Sequence, residues 1–218
     1  MQQLKNLDIQ KMALIVVDMQ NDFVRQGAPF EIPGVRETIP VIRSLCEAFQ
    51  NIKRPIIFTR FVTGPYETLI WRWSEPLRPP TKACWRGVFR YYNDIQAQRL
   101  GVEIIDELLP FTAYEFSYVI DKYGYGAFHN TQLQDILIAT QTSIVVIVGA
   151  AMPICVNETV AGAFARGYEV IIPKEAVASF SNEWAKFSLQ LFEMKYGILV
   201  SVNELLQKLR GNYGVNIR

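Results

Sequence analysis

Three residues whose side chains can take part in hydrolysis follow apolar, strand-like segments of this sequence. In each case the residue stands just beyond a short run: Asp18 after 12–17, Lys122 after 116–120, and Cys155 after 143–148. A thiol is a nucleophile, a carboxylate can take its proton, and an ammonium group can stabilise the resulting charge. Taken singly, each residue also has a structural explanation, since Asp favours turns, Lys is usually solvated and a free Cys is often a core residue.

The elements that must position these residues alternate along the chain. Further strand-like runs are 55–59, 168–172 and 198–201, and helical periodicity marks 35–53, 131–140, 154–166, 182–195 and 203–209. Such alternation predicts βαβ units, and therefore one α/β domain over residues 1–218, a three-layer α/β/α sandwich with a mainly parallel, doubly wound sheet. Ligands bind at the carboxyl edge of such a sheet. The three residues are therefore expected to converge there.

Cys155 follows a turn of small residues at the start of a predicted helix. Free backbone N–H groups and the positive end of the helix dipole predict a lowered thiol pKa. Ala150 and Ala151 would let N–H groups approach one point beside the thiol, as in an oxyanion hole. The proton of the thiol could pass to His129, the single histidine, or to Asp18 held by Lys122, and the residues alone leave both routes open.

The composition excludes several classes of protein. Lys plus Arg number 22 and Asp plus Glu 21, a balance that argues against a nucleic-acid partner. Three dispersed cysteines and one histidine cannot form a disulfide framework or a usual zinc site, and no signal peptide or membrane-length apolar run is visible. We therefore expect a reduced, soluble, cytoplasmic protein with a small-molecule substrate, no metal, no cofactor and no membrane partner.

The least regular part of the sequence is 61–100, which is rich in aromatic residues and proline. A loop of this length is usually functional or structured in its own right. Its aromatic side chains are candidates either for substrate contacts or for an oligomer contact. From such exposed-looking aromatic residues we expect a homodimer or homotetramer.

Three segments together resemble the isochorismatase-like cysteine hydrolase superfamily: ALIVVDMQNDF (13–23), DKYGYGAFHNTQL (121–133) and VVIVGAAMPICVNETVAGAFARGYEVII (145–172). The resemblance implies a catalytic triad of Asp18, Lys122 and Cys155. It also implies a non-proline cis peptide bond between Ala150 and Ala151, and an oxyanion hole formed by the N–H groups of Ala151 and Cys155. The implied reaction is cleavage of a C–N bond in a small amide, carbamoyl or ureido compound through a Cys155 thioester.

The sequence also departs from the family pattern. Met152 and Pro153 stand where the family commonly has Thr and an acidic residue or Asn, so substrate preference is open. Nicotinamidase-like members bind a metal through histidines that follow the second strand, and here no histidine lies between residues 59 and 92. Two alternatives remain: an isochorismatase-type vinyl-ether hydrolase that uses Asp18, and a non-catalytic ligand-binding member. The candidate substrate-pocket residues are Phe23, Trp71, Trp73, Tyr125, Phe128 and His129.

Overall fold

The computed structural model describes residue 4 and residues 6–211. The strands are β1 (Met12–Val17), β2 (Ile56–Phe61), β3 (Phe89–Tyr92), β4 (Ala97–Leu100), β5 (Ser117–Lys122), β6 (Ile144–Gly149), β7 (Glu169–Pro173) and β8 (Ile198–Val200). The α-helices are α1 (Asn21–Val24), α2 (Ile39–Asn51), α3 (Leu109–Thr112), α4 (Leu133–Ala139), α5 (Asn157–Phe164), α6 (Asn182–Lys195) and α7 (Val202–Gly211). A π-helical turn, Met152–Val156, leads directly into α5.

Six strands form one parallel sheet in the order β5-β2-β1-β6-β7-β8. β1 lies in the middle and all six of its residues are buried, as expected of a continuous apolar run in a parallel sheet. The chain leaves β1 towards β2 on one side, whereas β6 lies on the other side. The switch point of the sheet therefore falls between the carboxyl ends of β1 and β6, where ligands bind in such folds.

Successive residues of β1 point to opposite faces and enter two separate cores. Leu14 and Val16 pack in the first core with apolar residues of α2 and α7. Ile15 and Val17 pack in the second core with residues of α4, α5 and α6. The helices thus cover both faces of the sheet, and the predicted three-layer α/β fold is confirmed.

The aromatic segment between β2 and β5 has structure of its own, including the antiparallel hairpin β3–β4. Two buried polar side chains attach it to the loop that follows β1. The Gln20 side-chain amide donates to the carbonyls of Phe61 (3.0 Å) and Val102 (2.8 Å). Asp22 accepts hydrogen bonds from the segment, namely from the Cys84 amide (2.7 Å), the Tyr92 hydroxyl (2.7 Å) and Arg90 Nε (2.8 Å). The segment is therefore fixed beside the carboxyl edge of β1.

Two predicted boundaries differ from the structure at the functional edge. The third predicted strand continues to Lys122, which is the last residue of β5 and does not lie beyond it. The predicted helix 154–166 begins as the π-helical turn, in which the Val156 amide donates to the Ala151 carbonyl (3.2 Å). Over the described residues, no helix combines the length and the apolar character needed to cross a membrane.

Candidate active site

Asp18 and Lys122 form a buried ion pair at the carboxyl edge of the sheet. Lys122 Nζ lies 2.7 Å from Asp18 Oδ2, and the two side chains are 0% and 1% exposed. The ammonium group also donates to the carbonyls of Gly124 (3.1 Å) and Tyr125 (2.8 Å). Burial lowers the pKa of Lys122, but the charge of Asp18 and the polar contacts with Asp18 and Cys155 outweigh burial and raise it overall. The lysine is therefore a fixed cation in the site.

Thr59, the fourth residue of β2, is a functional candidate that the sequence reasoning missed. Its hydroxyl donates to Asp18 Oδ1 (2.6 Å) and accepts from the Asp18 amide (3.1 Å). Because Oδ1 is bound by Thr59, Oδ2 is the oxygen that faces Lys122. The available signal was a hydroxyl at the end of the otherwise apolar run 55–59, on the strand next to β1.

Gly149 allows the ends of β1 and β6 to approach each other closely. A Cβ atom at this position would lie 2.2 Å from the Val17 carbonyl oxygen, and the residue has φ +106°, which favours glycine. Asp18 follows Val17 with φ 49°, a left-handed conformation that Asp tolerates better than most residues. The close approach brings Asp18 and the turn that carries Cys155 to the same point.

The turn around Cys155 commits the amides of Met152, Ile154 and Val156 to hydrogen bonds. A cis peptide bond joins Ala150 and Ala151. The Met152 amide donates to Ala178 (2.7 Å), the amides of Ile154 and Val156 donate to the Ala151 carbonyl (3.1 and 3.2 Å), and Pro153 has no N–H. These bonds do not involve the amides of Ala151 and Cys155, which remain the donors that the sequence predicts.

The pKa of the Cys155 thiol is raised, so the prediction of a lowered value is wrong. Burial makes the largest contribution, and the charge of Asp18 adds to it, whereas the charge of Lys122 acts in the opposite direction. Dipoles at a helix start cannot offset the loss of water around a side chain that is 5% exposed. The resting site therefore holds a neutral thiol close to Asp18 and Lys122. Polar contact with Asp18 raises the pKa of the thiol, and polar contact with Lys122 lowers it.

The other two thiols lie deeper in the protein. All three cysteines are free, and Cys46 and Cys84 are each 0% exposed, compared with 5% for Cys155. Burial raises the pKa of Cys46, and the charge of Glu47 adds to that increase. Burial and the charge of Asp22 raise the pKa of Cys84. Cys155 is therefore the most exposed of the three thiols.

One aromatic side chain of the first core, Phe61, lies against the ion pair, and other aromatic rings pack on it. Lys122 Nζ lies 5.0 Å from the centre of the Phe61 ring, and Phe61 packs against Tyr125 (6.1 Å between ring centres) and Phe23 (6.4 Å). Trp71 is buried in the same core and packs against Trp85 (5.6 Å). The structure thus places Phe61, which sequence reasoning did not identify, against Lys122, and it packs Phe23 and Tyr125 on Phe61.

Three of the predicted pocket residues lie elsewhere. Trp73 is on the surface, with 81% of its area exposed. Phe128 is a core residue that stacks on Tyr168 (6.0 Å), which precedes β7 and so lies at the amino edge of the sheet, away from the site. His129 is exposed and contacts the neighbouring Asn130 through Nε2 (3.3 Å). Sequence proximity to Lys122 suggested Phe128 and His129, but the loop after β5 turns Phe128 into the second core and His129 towards solvent.

The acidic, histidine and cysteine side chains of the site do not form a metal centre of the usual kind. Among residue 4 and residues 6–211, no group of three or more His, Cys, Asp or Glu side chains could hold a metal ion. Asp18 is already engaged by Lys122 and Thr59. The chemistry available at this edge is therefore that of a carboxylate, an ammonium group, a thiol and backbone amides.

Comparison with known proteins identifies the family. The model of the isochorismatase domain matches residues 12–204. The chain is 25% identical over 205 residues to an N-carbamoylsarcosine amidase of Arthrobacter sp, covering 90% of this chain and 70% of that protein. It is 27% identical to a ureidoacrylate amidohydrolase of Pantoea ananatis, covering 89% and 80%. A cysteine hydrolase from Pseudomonas syringae pv. phaseolicola has a similar fold, with a TM-score of 0.83 at 19% identity and coverage of 95% and 96%.

The parallel sheet, the switch-point site and the domain match together define the class of protein. The chain belongs to the isochorismatase family. Both relatives described above carry names of amide-cleaving enzymes, and both align with most of this chain.

Proposed function

We propose that this protein is a cysteine hydrolase that cleaves a C–N bond in a small amide, carbamoyl or ureido substrate through a Cys155 thioester. The observation that carries the proposal is the buried Asp18–Lys122 pair, which lies beside the Cys155 thiol. The resemblance to amidohydrolases at 25–27% identity supports the C–N bond as the target.

The first half of the proposed reaction forms the thioester. Asp18 takes the proton of the Cys155 thiol, and the thiolate attacks the carbonyl carbon to form a C–S bond. The amides of Ala151 and Cys155 donate to the oxyanion that develops on the carbonyl oxygen. The C–N bond then breaks, and the leaving nitrogen takes the proton from Asp18, which releases ammonia or an amine.

The second half hydrolyses the thioester. Asp18, again a carboxylate, takes a proton from water as the oxygen attacks the thioester carbonyl. The C–S bond breaks, the acid product leaves, and the proton returns from Asp18 to the sulfur. Throughout, Lys122 holds the position of Asp18 and stabilises negative charge on the carboxylate and the sulfur.

The raised pKa of Cys155 fits this sequence of steps. A buried neutral thiol needs an adjacent base, and Asp18 is the carboxylate in contact with Lys122 at this point. Substrate selection would fall to the aromatic core residues. Trp71 is a candidate for it, because its buried Nε1–H has no hydrogen-bond partner among the described residues and could donate to a substrate oxygen.

The test is release of ammonia or amine from a panel of small amides, carbamoyl compounds and ureides. We expect Cys155→Ala and Asp18→Asn each to lower kcat by about a thousandfold or more, with unchanged folding by circular dichroism. Cys46→Ala is the matched control and should keep its activity. Mass spectrometry of the quenched wild type should find an acyl adduct on Cys155.

Two outcomes would contradict the proposal. If activity survives loss of Cys155 but not of Asp18, and no adduct forms, the protein uses Asp18 as an acid without covalent catalysis, as a vinyl-ether hydrolase would. If a folded wild type turns over no amide, carbamoyl, ureido or vinyl-ether compound yet binds one of them, it is a ligand-binding member of the family.

A further inference from the structure

Helix α6 (Asn182–Lys195) exposes an apolar stripe. Trp184, Phe187 and Met194 are 51%, 65% and 66% exposed, and Leu191 is half-buried. Their spacing of three, four and three residues places all four side chains on one face of the helix. The opposite face carries Phe192, which is buried in the second core. Three large apolar side chains therefore face solvent from a helix that already has a core face.

We propose that a second copy of this chain covers the stripe, with the two α6 helices packed antiparallel about a two-fold axis. The spacing of the stripe is the same when read in either direction. A two-fold axis near the middle of the helix therefore places Trp184 of one copy opposite Met194 of the other, and Phe187 opposite Leu191. This self-complementarity is what an isologous interface requires.

The charges beside the stripe favour this orientation. Lys186 and Glu193 are exposed and, at helical spacing, lie on the same flank of the stripe. An antiparallel pair brings Lys186 of each copy near Glu193 of the other, whereas a parallel two-fold pair would place these charges on opposite sides of the interface and leave them unpaired. Antiparallel packing also opposes the two helix dipoles.

The size of the stripe fits the centre of a dimer interface. Aromatic side chains bury about 150–250 Å² each, so Trp184 and Phe187, which are half to two-thirds exposed, together with Met194 and Leu191 offer roughly 400 Å² per copy. A standard interface buries about 800 Å² per partner, with an apolar core and a polar rim. The stripe would supply that core, and the charged residues beside it would supply part of the rim.

The test measures the mass of the purified full-length protein by sedimentation and by light scattering at micromolar concentration. We expect a dimer for the wild type and a Kd that is weaker by more than about tenfold for Phe187→Glu. Phe187 is exposed, so the fold and the thermal melting of the monomer should be retained. Trp73→Glu, which alters an even more exposed aromatic residue outside α6, is the matched control and should remain dimeric.

Charge reversal tests the orientation. Lys186→Glu and Glu193→Lys should each weaken the dimer, and the double variant should restore it. A monomeric wild type would overturn the proposal, as would a Trp73→Glu variant that dissociates as readily as Phe187→Glu. A double variant no better than the single ones would overturn the antiparallel arrangement. None of these results depends on the proposed catalytic function.

Discussion

Substitution of Thr59 by Val tests whether the position of Asp18 matters for catalysis. Val has nearly the same shape as Thr but lacks the hydroxyl. It would remove the 2.6 Å hydrogen bond to Asp18 Oδ1 and the bond from the Asp18 amide to the same hydroxyl (3.1 Å). The Lys122 contact to Oδ2 would remain. The carboxylate would then be held on one side only.

The expected magnitude follows from the burial of the pair. Thr59 is 0% exposed, so no water replaces the lost donor without rearrangement. A hydrogen bond to a charged group contributes about 1.5–3 kcal/mol, and each 1.4 kcal/mol of barrier is about a tenfold change in rate. We therefore expect kcat for Thr59→Val to fall by roughly tenfold to a hundredfold. KM should change little, because Thr59 contacts Asp18 and is not proposed to contact substrate.

The assay compares steady-state kinetics and urea unfolding of three variants. Thr59→Ser keeps the hydroxyl and should retain most of the activity. Thr38→Val removes a different buried threonine hydroxyl, one that donates to the Val35 carbonyl (2.7 Å), and should affect stability but not kcat. A folded Thr59→Val protein with the kcat of the wild type would refute the reasoning.

Two further predictions concern stability. Gly149→Ala should lower the free energy of unfolding, measured in urea, by about 3 kcal/mol, because its Cβ would meet the Val17 carbonyl. Gly167→Ala is the control, because Gly167 has φ +82° but open space around it, and it should lower the free energy of unfolding by less. Equal losses would contradict the close approach. The raised pKa of Cys155 means that the folded state keeps a proton that the unfolded state loses above pH ~8.5. This contribution to the free energy of unfolding should be fully present below that pH and should decrease as the pH rises. Above pH ~8.5, the free energy of unfolding should fall by about 1.4 kcal/mol per pH unit more steeply in the wild type than in Cys155→Ala. Equal slopes would exclude this thiol as a cause.

Much of the fold could be predicted, because a strand that is buried on both faces of a sheet has a continuous apolar sequence. The continuous apolar run 12–17 predicted a strand buried on both faces and the β-branched run 143–148 a central strand, and they form β1 and β6 at the middle of the sheet. The ends of strands and helices were harder to predict where polar residues continue the element. Lys122 extends β5 because it reaches a buried carboxylate, a contact that no local pattern reveals.

The site was predictable only in part. The rule that ligands bind at the carboxyl edge selected Asp18, Lys122 and Cys155, since it needs only the ends of strands. The surroundings of these residues depend on contacts between distant segments. Phe61 and Thr59 come from the neighbouring strand, while Phe128 and His129, adjacent in sequence to the Lys122 loop, point elsewhere.

By itself, the sequence determined which residues can take part in catalysis. It also predicted that these residues lie together at the ends of neighbouring strands, because residue type and hydrophobic periodicity are local properties. Tertiary structure alone decided their electrostatic state and orientation. Burial raises the pKa of Cys155 against the effect of a helix start, and a threonine from β2 directs one oxygen of Asp18 towards Lys122. Desolvation and cross-strand hydrogen bonds arise only when segments far apart in sequence pack together, and for this reason they are not visible in the order of residues.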